Sequence, residues 1–323
     1  MSQLDDLTKA VEILRGGGNV AIPTETVYGL AAKISSEVAL RSIFNIKNRP
    51  FFDPLIVHIA SIEEAKKLTL NWPTSAQKFA EAFWPGPLTL VLPKTKLVSD
   101  LITSGLDTVA IRIPRHPLAL EIIKQLGEPI AAPSANKFGK TSPSEAKHVI
   151  QEFDDKIFVV DGGPCDVGIE STIIKLEEND KLIEIKFLRL GTIVETDILN
   201  ILSDSSKKII ITKADAKIEA PGQVKHHYMP TIPLIMIHID FWKKFGGILN
   251  SVNHKLNTKF LNPSFLKLST EPEQAARELY GRLRVSSENP HDVIIFIKED
   301  HHQGSFWNAI LDRLQRASTY FID

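Results

Sequence analysis

Short runs of β-branched and apolar residues recur at 20–22, 55–59, 88–92, 109–113, 157–160, 172–176 and 183–188. Runs of that length bounded by turn residues read as strands. Between several of them the apolar spacing turns helical, at 38–46, 62–68, 118–126 and 144–153. Because the alternation is irregular, the pattern predicts an α/β (α+β) fold with a mixed sheet rather than a strictly parallel one. Ahead of the first strand, Leu4, Leu7, Val11 and Leu14 keep helical spacing until the Gly16 to Gly18 triplet stops it. Two helix starts match a capping box: Ser61 with Glu64, and Ser142 before Pro143 with Glu145 three residues on.

After Leu202 the pattern loosens. Residues 203–232 hold the short apolar run 209–211 among charged and turn-forming residues, and they read as a linker. Beyond it, strand-like 234–239 and 293–297 alternate with helical 273–283 and 307–317, as in a small α/β domain. The expected organisation is therefore a first domain at 1–202, a linker at 203–232 and a second domain at 233–323. A length of 323 residues allows two such cores.

Composition narrows the function. Thirty-eight basic residues nearly cancel 39 acidic ones, so no global field draws the chain to nucleic acid or to an anionic membrane, and direct tRNA binding is not implied. The single cysteine, Cys165, rules out an internal disulfide framework and a thiolate-rich metal site. The first twenty residues contain no signal-type apolar stretch and no later run reaches membrane-spanning length, so a cytoplasmic protein is expected.

Several segments carry polar groups where strands end. In PTETVYGL, Thr24, Thr26 and Tyr28 follow a strand, and their hydroxyls fit either a small polar ligand or a turn with local hydroxyl bonds. Lys47 and Arg49 stand ahead of Pro50, which suits a polyphosphate or a solvated basic edge, and His58 lies on the following strand. Arg112 falls inside an apolar strand, where its charge needs a partner that a bound anion would supply. The stretch APSANKFGKTSPSE offers Ser134, Asn136, Lys137, Lys140 and Ser142 on a glycine-containing loop before a capped helix, a combination suited to an anion. It lacks Walker A spacing, so a P-loop enzyme is excluded. IESTI and FLRLG add Ser171, Thr172 and Arg189. Paired carboxylates are absent from these motifs, and the adjacent histidine pairs at 226–227 and 301–302 diverge too much to share a metal easily.

In that order, PTETVYGL, KNRPFFDPLIVH, FWPGPLTLVLP, TVAIRIPRHP, APSANKFGKTSP, IESTI and FLRLG resemble the YrdC/Sua5 family. The remainder, with PGQVKHHYMP and a further α/β domain, resembles the long Sua5 form. The resemblance implies a twisted mixed-sheet catalytic domain with a concave surface, joined to a smaller Rossmann-like domain. It implies a nucleotidyltransferase, L-threonylcarbamoyladenylate synthase, which uses L-threonine, bicarbonate and ATP with Mg²⁺ and releases pyrophosphate. The product would go to a downstream tRNA threonylcarbamoyl transferase that modifies adenosine 37 of tRNA.

On that resemblance threonine lies near Thr26, His58, Arg112, Ala132 and Ser171, with Thr24 and Tyr28 added for their hydroxyls. ATP lies near Lys47, Arg49, Asp53, Thr108, Ser134, Asn136, Ser142 and Arg189, and His227 and Tyr228 of the linker join it. Lys47 and Arg49 are the expected catalytic cations; the Mg²⁺ ligands are left unassigned. The segment from Pro221 to Pro230 is expected to close as a lid, although Val224 and Lys225 stand where many members carry a basic residue and an aromatic. A hydrogenase-maturation carbamoyltransferase shares the module but needs a zinc finger that one cysteine cannot build. A simple RNA-binding module conflicts with the near-zero net charge.

Overall fold

The computed structural model describes residues 3–154, 156–214, 218–224, 226–246, 249–288 and 290–322. The chain divides into two compact units, one formed by Met1–Phe138 with Pro143–Gln223 and the other by Gly139–Ser142 with Val224–Asp323.

Among the described residues of the larger unit the strands are β1 (Val20–Ile22), β2 (Gly29–Lys33), β3 (Ile56–His58), β4 (Leu88–Pro93), β5 (Thr108–Arg112), β6 (Ile130–Ala131), β7 (Phe158–Val159), β8 (Thr172–Glu178), β9 (Leu182–Arg189) and β10 (Lys208–Lys213). They form one sheet in the order β10-β9-β8-β4-β5-β3-β6-β2-β1-β7. The pairs β10/β9, β8/β4, β5/β3 and β1/β7 are parallel, whereas the others are antiparallel. The sheet is thus mixed, as the irregular alternation of patterns predicts.

Helices cover both faces of this sheet. The amphipathic helix Gln3–Arg15 sinks Leu7, Val11 and Leu14 with Ile122 and Ile123 of helix Pro117–Leu126 against β1 and β2. A larger core collects Leu40, Ile43, Phe44 and Phe79 against Val57, Leu90, Val109 and Ile111. Ser61 caps helix Ile62–Leu68 by accepting the Glu64 N–H, and the Glu64 carboxylate takes the Ala60 N–H at 2.7 Å.

Two expectations are corrected. The helix expected from Ser142 begins at Ala146, with Glu145 at the N-cap position and no side-chain capping bond. The carbonyls that a helix opening at Ser142 would use in its first turn are engaged elsewhere: Pro143 O accepts the Tyr28 N–H and Ser144 O the Cys165 N–H, both at 2.9 Å. The linker expected at 203–232 opens with β10, which runs in register with β9 from Lys208↔Leu182 to Lys213↔Phe187. Its half-buried Ile209 and Ile211 pack on the main core, as an edge strand of the sheet. The larger unit then continues to Gln223.

In the second unit β11 (Leu234–His238), β12 (Pro263–Phe265), β13 (Val293–Lys298) and β14 (Tyr320–Ile322) form a parallel sheet in the order β12-β13-β11-β14. Helices Pro272–Ser286 and Ser305–Ala317 bury Leu279, Leu283, Ile310 and Leu314. Residues 139–142 belong to this unit through backbone pairing: Met229 N–H donates to Gly139 O at 2.8 Å and Thr141 N–H to Met229 O at 3.2 Å. Arg284 Nη2 also donates to Thr141 O at 2.6 Å. Tyr228, with φ 65°, is only 1% exposed, and its ring stacks on Tyr280 at 5.7 Å with the Arg313 guanidinium 5.8 Å away. Tyr228 of the expected lid segment 221–230 is therefore a core residue of this unit. Lys225 lies outside the described residues.

Candidate active site

Strand alternation decides which side chains reach the site, because successive residues of a strand point to opposite faces. In β5, Val109 and Ile111 enter the main core and leave Thr108, Ala110 and Arg112 on the other face. In β3, Val57 enters the core and leaves Ile56 and His58; in β4, Leu90 and Leu92 leave Thr89 and Val91. On this second face Ile56, Val91, Ala110, Ile173 and Leu188 make a small apolar floor, and Ala220 packs against it. Polar residues stand at its edges.

Arg112 and His58 are cross-strand neighbours in the β3/β5 register. The guanidinium is buried, donating from Nη1 to Thr26 Oγ1 at 3.0 Å and from Nη2 to Glu25 Oε2 at 2.9 Å. The anion that the Arg112 charge requires is thus already present in the fold as Glu25, where the sequence reading assigned that role to a bound ligand. Glu25 Oε2 also accepts the Arg115 N–H at 3.0 Å. Glu25 Oε1, Arg112 Nε and His58 Nδ1 are buried with no hydrogen-bond partner among the described residues. Burial, reinforced by the Arg112 charge, pushes the His58 pKa down to about 3, so the ring is neutral near pH 7.

The other PTETVYGL hydroxyls split. Thr24 Oγ1 accepts the N–H groups of Thr26 and Val27, each at 3.2 Å, and donates to Val27 O at 2.6 Å, so Thr24 shapes the turn. Tyr28 is a core residue whose hydroxyl donates to Gly163 O at 2.8 Å and accepts the Gly162 N–H at 3.0 Å. Burial pushes that phenol's pKa upward. The structure therefore brings Thr26 to Arg112 and leaves Tyr28 pinning the 161–163 loop. Ala132 is buried, and its N–H bonds Ile56 O at 3.1 Å.

A second group gathers the cations. Lys47 is the last residue of helix Glu37–Lys47, which ends at left-handed Asn48. Its buried ammonium donates to the carbonyls of Ser134 and Asn136, joining the helix end to the SAN turn. Arg49 pairs with Asp53 at 2.9 Å and donates to Pro54 O at 2.7 Å. Burial, then the charge of Arg49, drive the Lys47 pKa well below its ordinary value. Burial raises Asp53 against the opposing charges of Arg49, Lys47 and Arg189, so the three expected cations share one carboxylate.

Ser171 ties Arg189 to Thr89 of β4. Its hydroxyl lies 2.8 Å from Thr89 Oγ1 and accepts from Arg189 Nη2 at 3.1 Å, while Arg189 Nε donates to Ser171 O at 3.0 Å. Arg189 Nη1 reaches Pro221 O at 3.4 Å. Gly191 makes this approach feasible, since a Cβ there would lie 2.3 Å from Thr172 N. Thr108 is half-buried on the same face as Arg112 but four residues along β5, about 13 Å by strand rise. In the second unit, Ser142 and His227 are buried, His227 N–H donates to Arg316 O at 3.2 Å, and its ring meets Tyr228 edge-on at 4.2 Å.

Glu25 and Thr89 were missed by the sequence reading. Thr89 is signalled by a lone hydroxyl in the apolar run LTLVL, and Glu25 by its place between two threonines. Among the described residues no group of three or more His, Cys, Asp or Glu could hold a metal, and no helix is long and apolar enough to cross a membrane.

Residues 12–191 match a family model of the Sua5/YciO/YrdC type described as telomere recombination. Residues 190–319 match one described as the threonylcarbamoyl-AMP synthase C-terminal domain. The chain is 38% identical to the threonylcarbamoyl-AMP synthase of Pyrococcus abyssi, over 97% of this chain and 94% of that protein. Identity to the Bacillus subtilis threonylcarbamoyl-AMP synthase is 36%, over 97% and 92%. The crystal structure of P. abyssi Sua5 complexed with L-threonine superposes with a TM-score of 0.83 at 35% identity, covering 100% of this chain and 96% of that one.

Proposed function

We propose, since the chain belongs to the Sua5/YrdC family in its two-domain threonylcarbamoyl-AMP synthase form, that it condenses L-threonine, bicarbonate and ATP into threonylcarbamoyl-AMP and pyrophosphate. The observation that carries this reading is the division of labour in the larger unit. Thr26, His58 and Arg112 form one cluster, whose charge Glu25 balances, and Lys47, Arg49 and Arg189 bring positive charge to Asp53 in another. A relative of the same two-domain form binds L-threonine.

In this reading Arg112 holds the threonine carboxylate and Thr26 and His58 orient the amino acid, with Ala132 and Ser171 beside it. Bicarbonate gives CO₂ and hydroxide, and the hydroxide takes one ammonium proton to leave water and a neutral amine; its nitrogen bonds the CO₂ carbon as one C–O π bond opens onto oxygen, and a nitrogen proton passes to water, giving a carbamate. A carbamate oxygen then forms a bond to the α-phosphorus of ATP as the bond to the bridging oxygen breaks, and pyrophosphate departs. The attacking oxygen is already anionic, so this second step needs alignment and positive charge rather than a general base. Lys47, Arg49 and Arg189 supply that charge, and Ser134, Asn136 and Thr108 are the proposed nucleotide contacts of this unit. Asp53 would be the carboxylate of this cluster to hold a Mg²⁺ ion bound with ATP, which would neutralise phosphate charge. The product would serve tRNA threonylcarbamoylation in the cytoplasm through a downstream transferase.

Incubation with ¹³C-bicarbonate, L-threonine and MgATP tests this directly. Mass spectrometry should find threonylcarbamoyl-AMP carrying the label; AMP or ADP without a labelled adenylate refutes the reading.

A further inference from the structure

Three polar atoms around Arg112 are buried and lack partners among the described residues: Glu25 Oε1, Arg112 Nε and His58 Nδ1. They belong to one cluster, since His58 and Arg112 are register partners and Arg112 is bonded to Glu25. A buried polar atom without a partner is costly, and such atoms gather where a ligand completes the network. The three demand different things. Arg112 Nε needs an acceptor, Glu25 Oε1 needs a donor, and the neutral His58 ring needs one polar hydrogen-bonding group. An amino-acid zwitterion bearing a side-chain hydroxyl offers a carboxylate, an ammonium and a hydroxyl.

We propose that Glu25 is a substrate-binding residue: its Oε1 receives the α-ammonium of the amino acid, while its Oε2 keeps Arg112 turned toward the α-carboxylate. This rests on the amino-acid reading of the site and adds to it a residue and a selection rule. The fold holds Glu25 firmly enough for the task. Its own carbonyl accepts the Val167 N–H at 2.8 Å, its Oε2 is fixed by both Arg112 and the Arg115 N–H, and Thr24 ties the turn on either side. The charge balance also fits. Glu25 with Arg112 is neutral, and a zwitterion leaves it neutral, whereas an amino acid stripped of its ammonium would add one uncompensated negative charge to a buried cluster.

The test compares L-threonine with (2S,3R)-2,3-dihydroxybutanoate, which carries a hydroxyl in place of the ammonium, by titration calorimetry on the full chain and on Glu25→Gln. The wild-type chain should prefer threonine by roughly 100-fold, the worth of a charge-assisted bond to a buried group. Glu25→Gln should lose most of that preference, chiefly by weakening threonine. A structural role alone would weaken both ligands alike and leave the ratio unchanged, which overturns the proposal. Should the variant not fold, a crystal structure of the wild-type chain with L-threonine decides. The ammonium nitrogen is expected within about 3.2 Å of Glu25 Oε1, and placement on other groups overturns the assignment. Absence of threonine binding by the wild-type chain would refute the amino-acid reading itself, a separate result.

Discussion

Replacing Arg112 by methionine removes a charge from a buried pair in which both side chains are at most 3% exposed. The partner, Glu25, then stays buried with its Oε2 bound to a backbone N–H and no counter-charge. Breaking a pair in this way costs about 3–5 kcal/mol, because the remaining charge is stranded rather than because the pair was strongly stabilising. In a domain of about 200 residues each kcal/mol moves Tm by about 2–4 °C, so Arg112→Met should lower Tm by roughly 6–20 °C. Neutralising the stranded carboxylate should reverse much of this: Glu25→Gln/Arg112→Met is expected to recover at least half of the lost Tm. Threonine binding should be absent from both variants, which separates stability from function. Calorimetric scans with and without threonine measure both quantities. A single variant within about 2 °C of wild type, or a double variant no more stable than the single, refutes the buried-pair argument.

Lys47 is held well below its ordinary pKa by burial and by Arg49. A polyphosphate favours the charged ammonium, so ATP binding should be coupled to proton uptake that grows as pH rises; titrations across a pH series in buffers of different ionisation enthalpy measure this, and Lys47→Met should abolish it. His58, with a folded pKa of about 3 against an ordinary value near 6.5, gives stability that is present above pH 6.5 and is lost as pH falls toward 3, by about 1.4 kcal/mol per pH unit. His58→Gln should flatten urea-unfolding stability between pH 6 and pH 4 by roughly that slope, and parallel profiles would contradict it. Tyr28→Phe should cost about 1–2 kcal/mol by leaving Gly162 N–H and Gly163 O without the phenol, while the threonine KM stays unchanged.

What the sequence made legible was whatever periodicity carries. The alternation in TVAIR separates Val109 and Ile111 from Thr108 and Arg112, and the runs of the sheet all fall on strands. Glu25 escaped because a lone carboxylate in a turn leaves no periodic trace, and only the fold shows that it reaches Arg112, 87 residues later. Tyr28 looked like a ligand hydroxyl because its ring's place in the core depends on the 161–163 loop returning to it. Ser142 carried a capping pattern, but the Pro143 and Ser144 carbonyls bond to Tyr28 and Cys165, partners that lie far away in sequence. β10 hid among charged flanks, being an edge strand that needs only Ile209 and Ile211 to face the core. Tyr228 read as linker because the Tyr280 and Arg313 that enclose it come from helices more than fifty residues later.

Pyrophosphate release by the full chain with MgATP and bicarbonate, compared across L-threonine, L-serine, carbamoyl phosphate and no added substrate, tests the central claim most directly. Release that requires L-threonine, falls sharply with L-serine and is absent with carbamoyl phosphate is the predicted result. Release that is independent of threonine, or supported by carbamoyl phosphate in its place, would contradict the account.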